Sequence, residues 1–211
     1  TDIGSPTPAS QKATVFFSGK NEWKQFHAWP PTDTRPLSFY LGENGTLNMC
    51  PPEKKESHSE YISDPDKPVP YTDKTTYTRP KEYMTGDQRF SERRPDVLSF
   101  KTEPLKESIT LGGTIKAELE VAITTTDADF VVKIIDEYPN DYQNPPQKHT
   151  YLMNGYQMLI RGEVMRGRYR NSFEHPEAFT PNQPTHICFS MNDIAPVSYT
   201  HLRAHETVLD L

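Results

Sequence analysis

The chain has 211 residues, a formal net charge of -6, 34% hydrophobic residues, 11% aromatics and 20 prolines. That mixture is too aromatic for disorder and too rich in proline for a helical bundle, so strands joined by long loops are expected. The charge is spread over segments of mixed sign, with no basic stripe to neutralise a phosphate backbone, which argues against a nucleic-acid partner. No apolar run approaches the roughly 20 residues that span a bilayer, and no membrane partner is expected. The two cysteines, Cys50 and Cys188, lack CxxC spacing, so neither a metal knuckle nor a redox pair is predicted, and Cys188 reads as a buried free thiol.

Residues 1–11 are small, polar and proline-bearing, a linker arriving from an upstream domain. Order begins at Lys12. Ala13–Phe17 is β-prone, and Pro36–Leu41 followed by Glu43-Asn44-Gly45-Thr46 reads as a strand entering a hairpin turn. Between them Trp29-Pro30-Pro31 forbids a continued helix or central strand. Residues 51–95 carry prolines 65, 68, 70 and 80 and no apolar periodicity, so they form one long connection and not a second core. Arg93-Arg94-Pro95-Asp96, just before a strand, reads either as an Arg–carboxylate clamp fixing that loop or as a solvated charge run.

The strongest strand signal follows. Ile115, Ala117, Leu119, Val121 and Ile123 alternate with polar residues, giving one buried and one wet face. Phe130–Ile135 is apolar on both faces and suits an inner strand. Tyr156–Val164 is a further strand, and Ile187, Phe189 and Met191 alternate with His186, Cys188 and Ser190. Strands of uneven spacing, with Gly112-Gly113 opening one and Pro139 closing another, predict an all-β antiparallel jelly-roll β-sandwich of the galactose-binding type over residues 12–195.

No GxSxG elbow is present, and the Ser, His and Asp residues show no spacing suggestive of a triad. His27, His58, His149, His175 and His186 read as surface residues. Asp127 and Asp129 are too few oxygens for a calcium site and read as turn residues serving backbone N–H groups. No catalytic residue, metal or cofactor is therefore assigned. Trp23 and Trp29 read as packed corners or interdomain plugs. A second reading makes the chain a stand-alone carbohydrate-binding jelly roll stacking sugars on Trp23, Trp29 or Tyr142.

In order along the chain come Val15-Phe16-Phe17-Ser18-Gly19 with Asn21-Glu22-Trp23 and Trp29-Pro30-Pro31, Asp64-Pro65 with Pro68-Val69-Pro70, and Asp87-Gln88-Arg89 with Arg93-Pro95-Asp96-Val97-Leu98. Thr102-Glu103-Pro104-Leu105, Thr126–Asp136, Tyr138-Pro139 and Arg170-Asn171-Ser172-Phe173 continue the set. This order resembles the C-terminal domain of X-Pro dipeptidyl-peptidases, cocaine esterase, α-amino acid ester hydrolases and the related cephalosporin acylases, with the acylase and ester-hydrolase branch nearer. The resemblance implies an upstream α/β-hydrolase domain with a Ser-Asp-His triad and a helical cap, against which this non-catalytic sandwich packs. It implies interdomain packing by Trp23, Trp29, Arg93 and Asp96, and acyl transfer to the serine of the parent, with an oxyanion hole stabilising the tetrahedral intermediate. A periplasmic or secreted bacterial parent, assembled as a homo-oligomer, is an expectation of the same kind. After Ala195 the family pattern breaks off. Residues 196–211 resemble a translated sequencing adapter and are read as an artefact, which would leave the sandwich truncated at its last strands and its sheet edges unpaired.

Overall fold

The computed structural model describes residues 13–18, 20–53, 57–78, 80–144 and 152–194, together with the backbone of 197–198 and 201–210. The proposed linker 1–11 and His149 lie outside the described residues. The strands are β1 (Ala13–Phe17), β2 (Glu22–Phe26), β3 (Tyr40–Leu41), β4 (Leu47–Asn48), β5 (Leu98–Lys101) and β6 (Ile109–Thr110). They continue with β7 (Gly113–Val121), β8 (Ala128–Glu137), β9 (Gln157–Arg166), β10 (Thr185–Ile194), β11 (Val197–Ser198) and β12 (His201–Asp210). One helical turn, α1 (Arg89–Glu92), lies just before β5.

The predicted all-β sandwich is what the chain forms. One layer is the four-stranded sheet β5-β12-β8-β9, and the other is the antiparallel pair β7–β10. Ile187 stands opposite Leu119, Phe189 opposite Ala117 and Met191 opposite Ile115, so the apolar sets of both strands share one face. Across the gap β8 contributes Ala128, Phe130 and Val132, and Phe179 closes the cluster from the loop before β10. Phe130 and Ile187 are completely buried. A smaller cluster sets Leu47 of β4 and Phe100 of β5 against Phe39, Leu98 and Ile134.

The alternating pattern also corrects an expectation. Cys188 is exposed, not buried, because it occupies the outward phase of β10, opposite the exposed Glu118 of β7. The predicted hairpin after Tyr40 is present, but only Tyr40–Leu41 pairs, with Leu47–Asn48. Its turn uses positive φ at Asn44 (56°) and Gly45 (71°), and a Cβ at Gly45 would lie 2.7 Å from the Ser99 carbonyl oxygen. Glycine is required there on both counts.

Residues 51–95 contain no strand among those described and end in α1. The tail that the sequence sets apart runs, as backbone, down the slot between β5 and β8.

Candidate functional site

Hairpin β1–β2 is an antiparallel ladder in which Phe16 opposes Trp23 and Phe17 opposes Glu22. Successive side chains point to opposite faces, and the two tryptophans are separated accordingly. On the inner face Phe17, Phe26 and Trp29 form an aromatic triangle with ring centroids 5.5–6.3 Å apart. The Trp29 ring lies over Gly112, where a Cβ would sit 3.4 Å from it. On the outer face Trp23 is 70% exposed and leans on Phe16 at 5.2 Å. Trp29 is thus a packed corner and Trp23 an exposed ring, and they form no common platform for a sugar. Tyr142 is half-buried, edge-on to Tyr138 at 5.0 Å.

The Arg–carboxylate clamp exists, made by Arg94 and not Arg93. Arg94 Nε and Nη2 donate to the two oxygens of Asp96 at 2.8 and 2.6 Å. Nη2 also donates to the Lys67 carbonyl oxygen at 2.8 Å, tying down the long connection. Asp96 is buried while Arg93 is exposed. From sequence the two neighbouring arginines are indistinguishable, and the direction of the turn after α1 decides between them. The Arg94 hydrogen bonds, ahead of the cost of burial, hold the Asp96 carboxyl below its ordinary range. A carboxyl depressed on folding contributes stability above its unfolded pKa and loses it as pH falls through the folded value. Asp96→Asn should cost about 1 kcal/mol, Arg94 being in partial contact with water. It should also speed protease cleavage within 57–80, and limited proteolysis beside thermal melts at pH 7 would read both effects. An unchanged cleavage rate would remove the clamp from the loop's support.

A buried polar cluster that the sequence did not announce secures the same connection to β8 and β9. The Gln88 N–H donates to the Gln157 carbonyl oxygen at 3.0 Å, and Asp87 bridges to Met158 at the edge of β9. Lys133 Nζ donates to Gln88 Oε1 at 2.9 Å and lies 5.6 Å from the centre of the Phe90 ring. Gln157 donates to the Glu92 carboxylate, and Ser91 Oγ to the Gln88 carbonyl oxygen at 3.0 Å. Gln88, Ser91, Gln157, Lys133 and Glu137 are all buried. Lys133 sits inside the run read as apolar on both faces. Its stem passes Gly162, where a Cβ would come within 3.3 Å of Lys133 Cγ.

Asp127 and Asp129 are engaged by arginines more than by turn N–H groups. Arg166 spans the β8–β9 rung to grip Asp129 at 2.8 and 3.1 Å. Arg168 binds Asp127 through Nε, and its backbone N–H adds a bond of 2.9 Å. Their oxygens are committed to protein donors. Among the described residues no three His, Cys, Asp or Glu side chains converge as a metal site. His27, His58, His175 and His186 are exposed, the last paired with Glu120 at 3.1 Å on the outer face of β7–β10. No helix among the described residues is long and apolar enough to cross a membrane.

The geometry is that of a β-sandwich with an exposed aromatic hairpin and a long anchored connection, in which no reaction centre is assembled among the described residues. The chain belongs to the family described as the X-Pro dipeptidyl-peptidase C-terminal non-catalytic domain, whose model matches residues 8–198. It is 28% identical over 188 residues to cocaine esterase of Rhodococcus sp. (strain MB1 Bresler), covering 85% of this chain and 30% of that protein. A solved aminopeptidase from a marine sediment Thaumarchaeota archaeon superposes with a TM-score of 0.85 at 30% identity, over 92% of this chain and 32% of the other. An α-amino acid ester hydrolase superposes with a TM-score of 0.84 at 30% identity, over 98% and 35% respectively. The chain therefore spans about a third of the length of these relatives.

Proposed function

We propose that this chain is the bracing module of a serine hydrolase that acts on acyl esters, amides or X-Pro peptides. It packs against an α/β-hydrolase domain and its cap, encoded upstream, and helps to wall the substrate pocket. The observation that carries this reading is the match of residues 8–198 to a domain described as C-terminal and non-catalytic, in relatives about three times as long. The Phe16–Trp23 face supports it, because a large ring 70% exposed beside a second aromatic is the composition of an interface anchor. Trp23 makes the contact in this reading. Trp29 stiffens the hairpin from behind, and the Arg94–Asp96 clamp fixes the connection whose exposed Ile62 and Tyr77 extend the same kind of apolar surface. Arg93 is a solvent-facing rim residue. The parent's chemistry is acyl transfer to a serine carried by the upstream domain.

Reading the genomic sequence upstream of the codon for Thr1 tests this directly. An in-frame α/β-hydrolase with a GxSxG elbow is expected. A native start codon at that point, with no hydrolase in frame, would overturn the proposal.

A further inference from the structure

The smaller layer of the sandwich ends on β7, which is bonded to β10 on one side and, among the described residues, to no strand on the other. No residue of β7 makes a backbone hydrogen bond outside the β10 ladder. The irregularity in that ladder lies between Met191 and Ile194 of β10, so β7 itself is unbulged. Its 9 residues thus form a regular edge, on which every second N–H and C=O points away from β10. The residues along this edge are self-complementary about Ala117. In a second copy laid antiparallel, Ala117 opposite Ala117, Lys116 meets Glu118, Ile115 meets Leu119 and Thr114 meets Glu120, each twice by two-fold symmetry. Faces agree as well as charges. Thr114, Lys116, Glu118 and Glu120 are the exposed phase of the strand, while Ile115, Ala117 and Leu119 are turned to the core, with Ile115 only half-buried. Within its own chain Lys116 faces Ser190 and Glu118 faces Cys188, so neither meets an opposite charge across the ladder, whereas Glu120 is met by His186 at 3.1 Å. Neighbouring registers lose the match: centring on Lys116 sets two ammonium groups face to face, and centring on Glu118 sets two carboxylates.

We propose that the free edge of β7 is a self-association surface, paired antiparallel about Ala117 with the same edge of a second copy of this chain. The two-stranded layers of the two copies then join as one four-stranded layer in the order β10-β7-β7-β10. Backbone hydrogen bonds supply the ladder, and the Ile115–Leu119 rungs continue the apolar face across the join. The two Lys116–Glu118 rungs on the wet face fix the register and select a second copy over an edge of like charge.

Sedimentation velocity and hydrogen exchange on the full chain, over a series of concentrations, test this pairing. A monomer–dimer equilibrium is expected, with amides of 113–121 gaining protection as the concentration rises. Lys116→Glu and Glu118→Lys, each alone, put like charges on both symmetric rungs and should weaken the dimer about tenfold. Both positions are exposed and face uncharged residues of β10, so each variant should melt as the native chain does. Combining the two substitutions in one chain restores opposite charges and should recover the dimer. An equimolar mixture of the two single variants should recover it as well, because each chain then complements the other. A chain that is monomeric at every concentration would overturn the proposal. So would a dimer that leaves the β7 amides unprotected or ignores the charge reversals, since the contact would then lie elsewhere, and so would a mixture no more dimeric than its components.

Discussion

Alanine in place of Phe130 is expected to cost about 3–5 kcal/mol, the range for emptying a fully buried aromatic site. The ring is completely buried on β8, between the β7–β10 layer and Phe179, whose ring lies 6.1 Å away. The surroundings are poorly placed to collapse into the void. Phe179 is fixed by its N–H bond to the Thr126 carbonyl oxygen at 2.8 Å and is capped by the Arg170 guanidinium at 4.5 Å. Gly167 already presses on both rings, so that a Cβ there would be 2.4 Å from Phe179 and 3.0 Å from Phe130. Domains of ordinary size have about 5–15 kcal/mol of stability in total, so the variant should lie close to unfolding. At about 2–4 °C per kcal/mol for a chain of this length, the melting point should fall by roughly 10 °C, and urea titration would give the free energy. A loss under 1 kcal/mol would place the ring outside the core.

The same strand shows which parts of the fold are legible in sequence. β7 and β10 each have one wet face, so their period of two survives in the residue order, and even the exposure of Cys188 follows from its phase. β8 is legible as an inner strand because five of the six residues 130–135 are apolar. β2 is not legible: Glu22-Trp23-Lys24-Gln25-Phe26 has no clean alternation, and the strand forms because β1 offers it a hairpin partner. β12 is not legible either, since the sequence sets residues 196–211 apart from the domain, whereas the backbone of 201–210 pairs with both β5 and β8. The anchoring cluster fails to show for a different reason. Gln88, Lys133 and Gln157 are surface-type residues when read singly, and only tertiary packing of the long connection on β8 and β9 buries them together. The clamp was half legible, since Arg-Arg-Pro-Asp announces an ion pair without saying which arginine turns inward.

Lys133 gives the second large effect, one that depends on pH. Burial drives its ammonium pKa below the ordinary lysine value, for the neutral Gln88 amide oxygen at 2.9 Å and the face of Phe90 do not replace its lost hydration. In the interval between the lowered folded value and about 10.5, the unfolded chain holds more protons at this site than the folded one. Stability should therefore rise with pH across that interval, by up to about 1.4 kcal/mol per pH unit for one proton. Below the interval the full penalty of burying the charge is present. Tyr138 acts in the opposite sense: burial raises its phenol pKa, so stability falls with pH above the ordinary tyrosine value near 10. Lys133→Met separates the two. It leaves Gln88 Oε1 without its lysine donor, a penalty independent of pH, and deletes the lysine titration while keeping that of Tyr138. Denaturant unfolding of both proteins from pH 7 to 10.5 should give curves that diverge in favour of the native chain as pH rises, because the native chain alone sheds a buried charge. Parallel curves would mean that Lys133 keeps its proton with equal ease folded and unfolded, and the buried ammonium would then have to be held by more than Gln88 and Phe90.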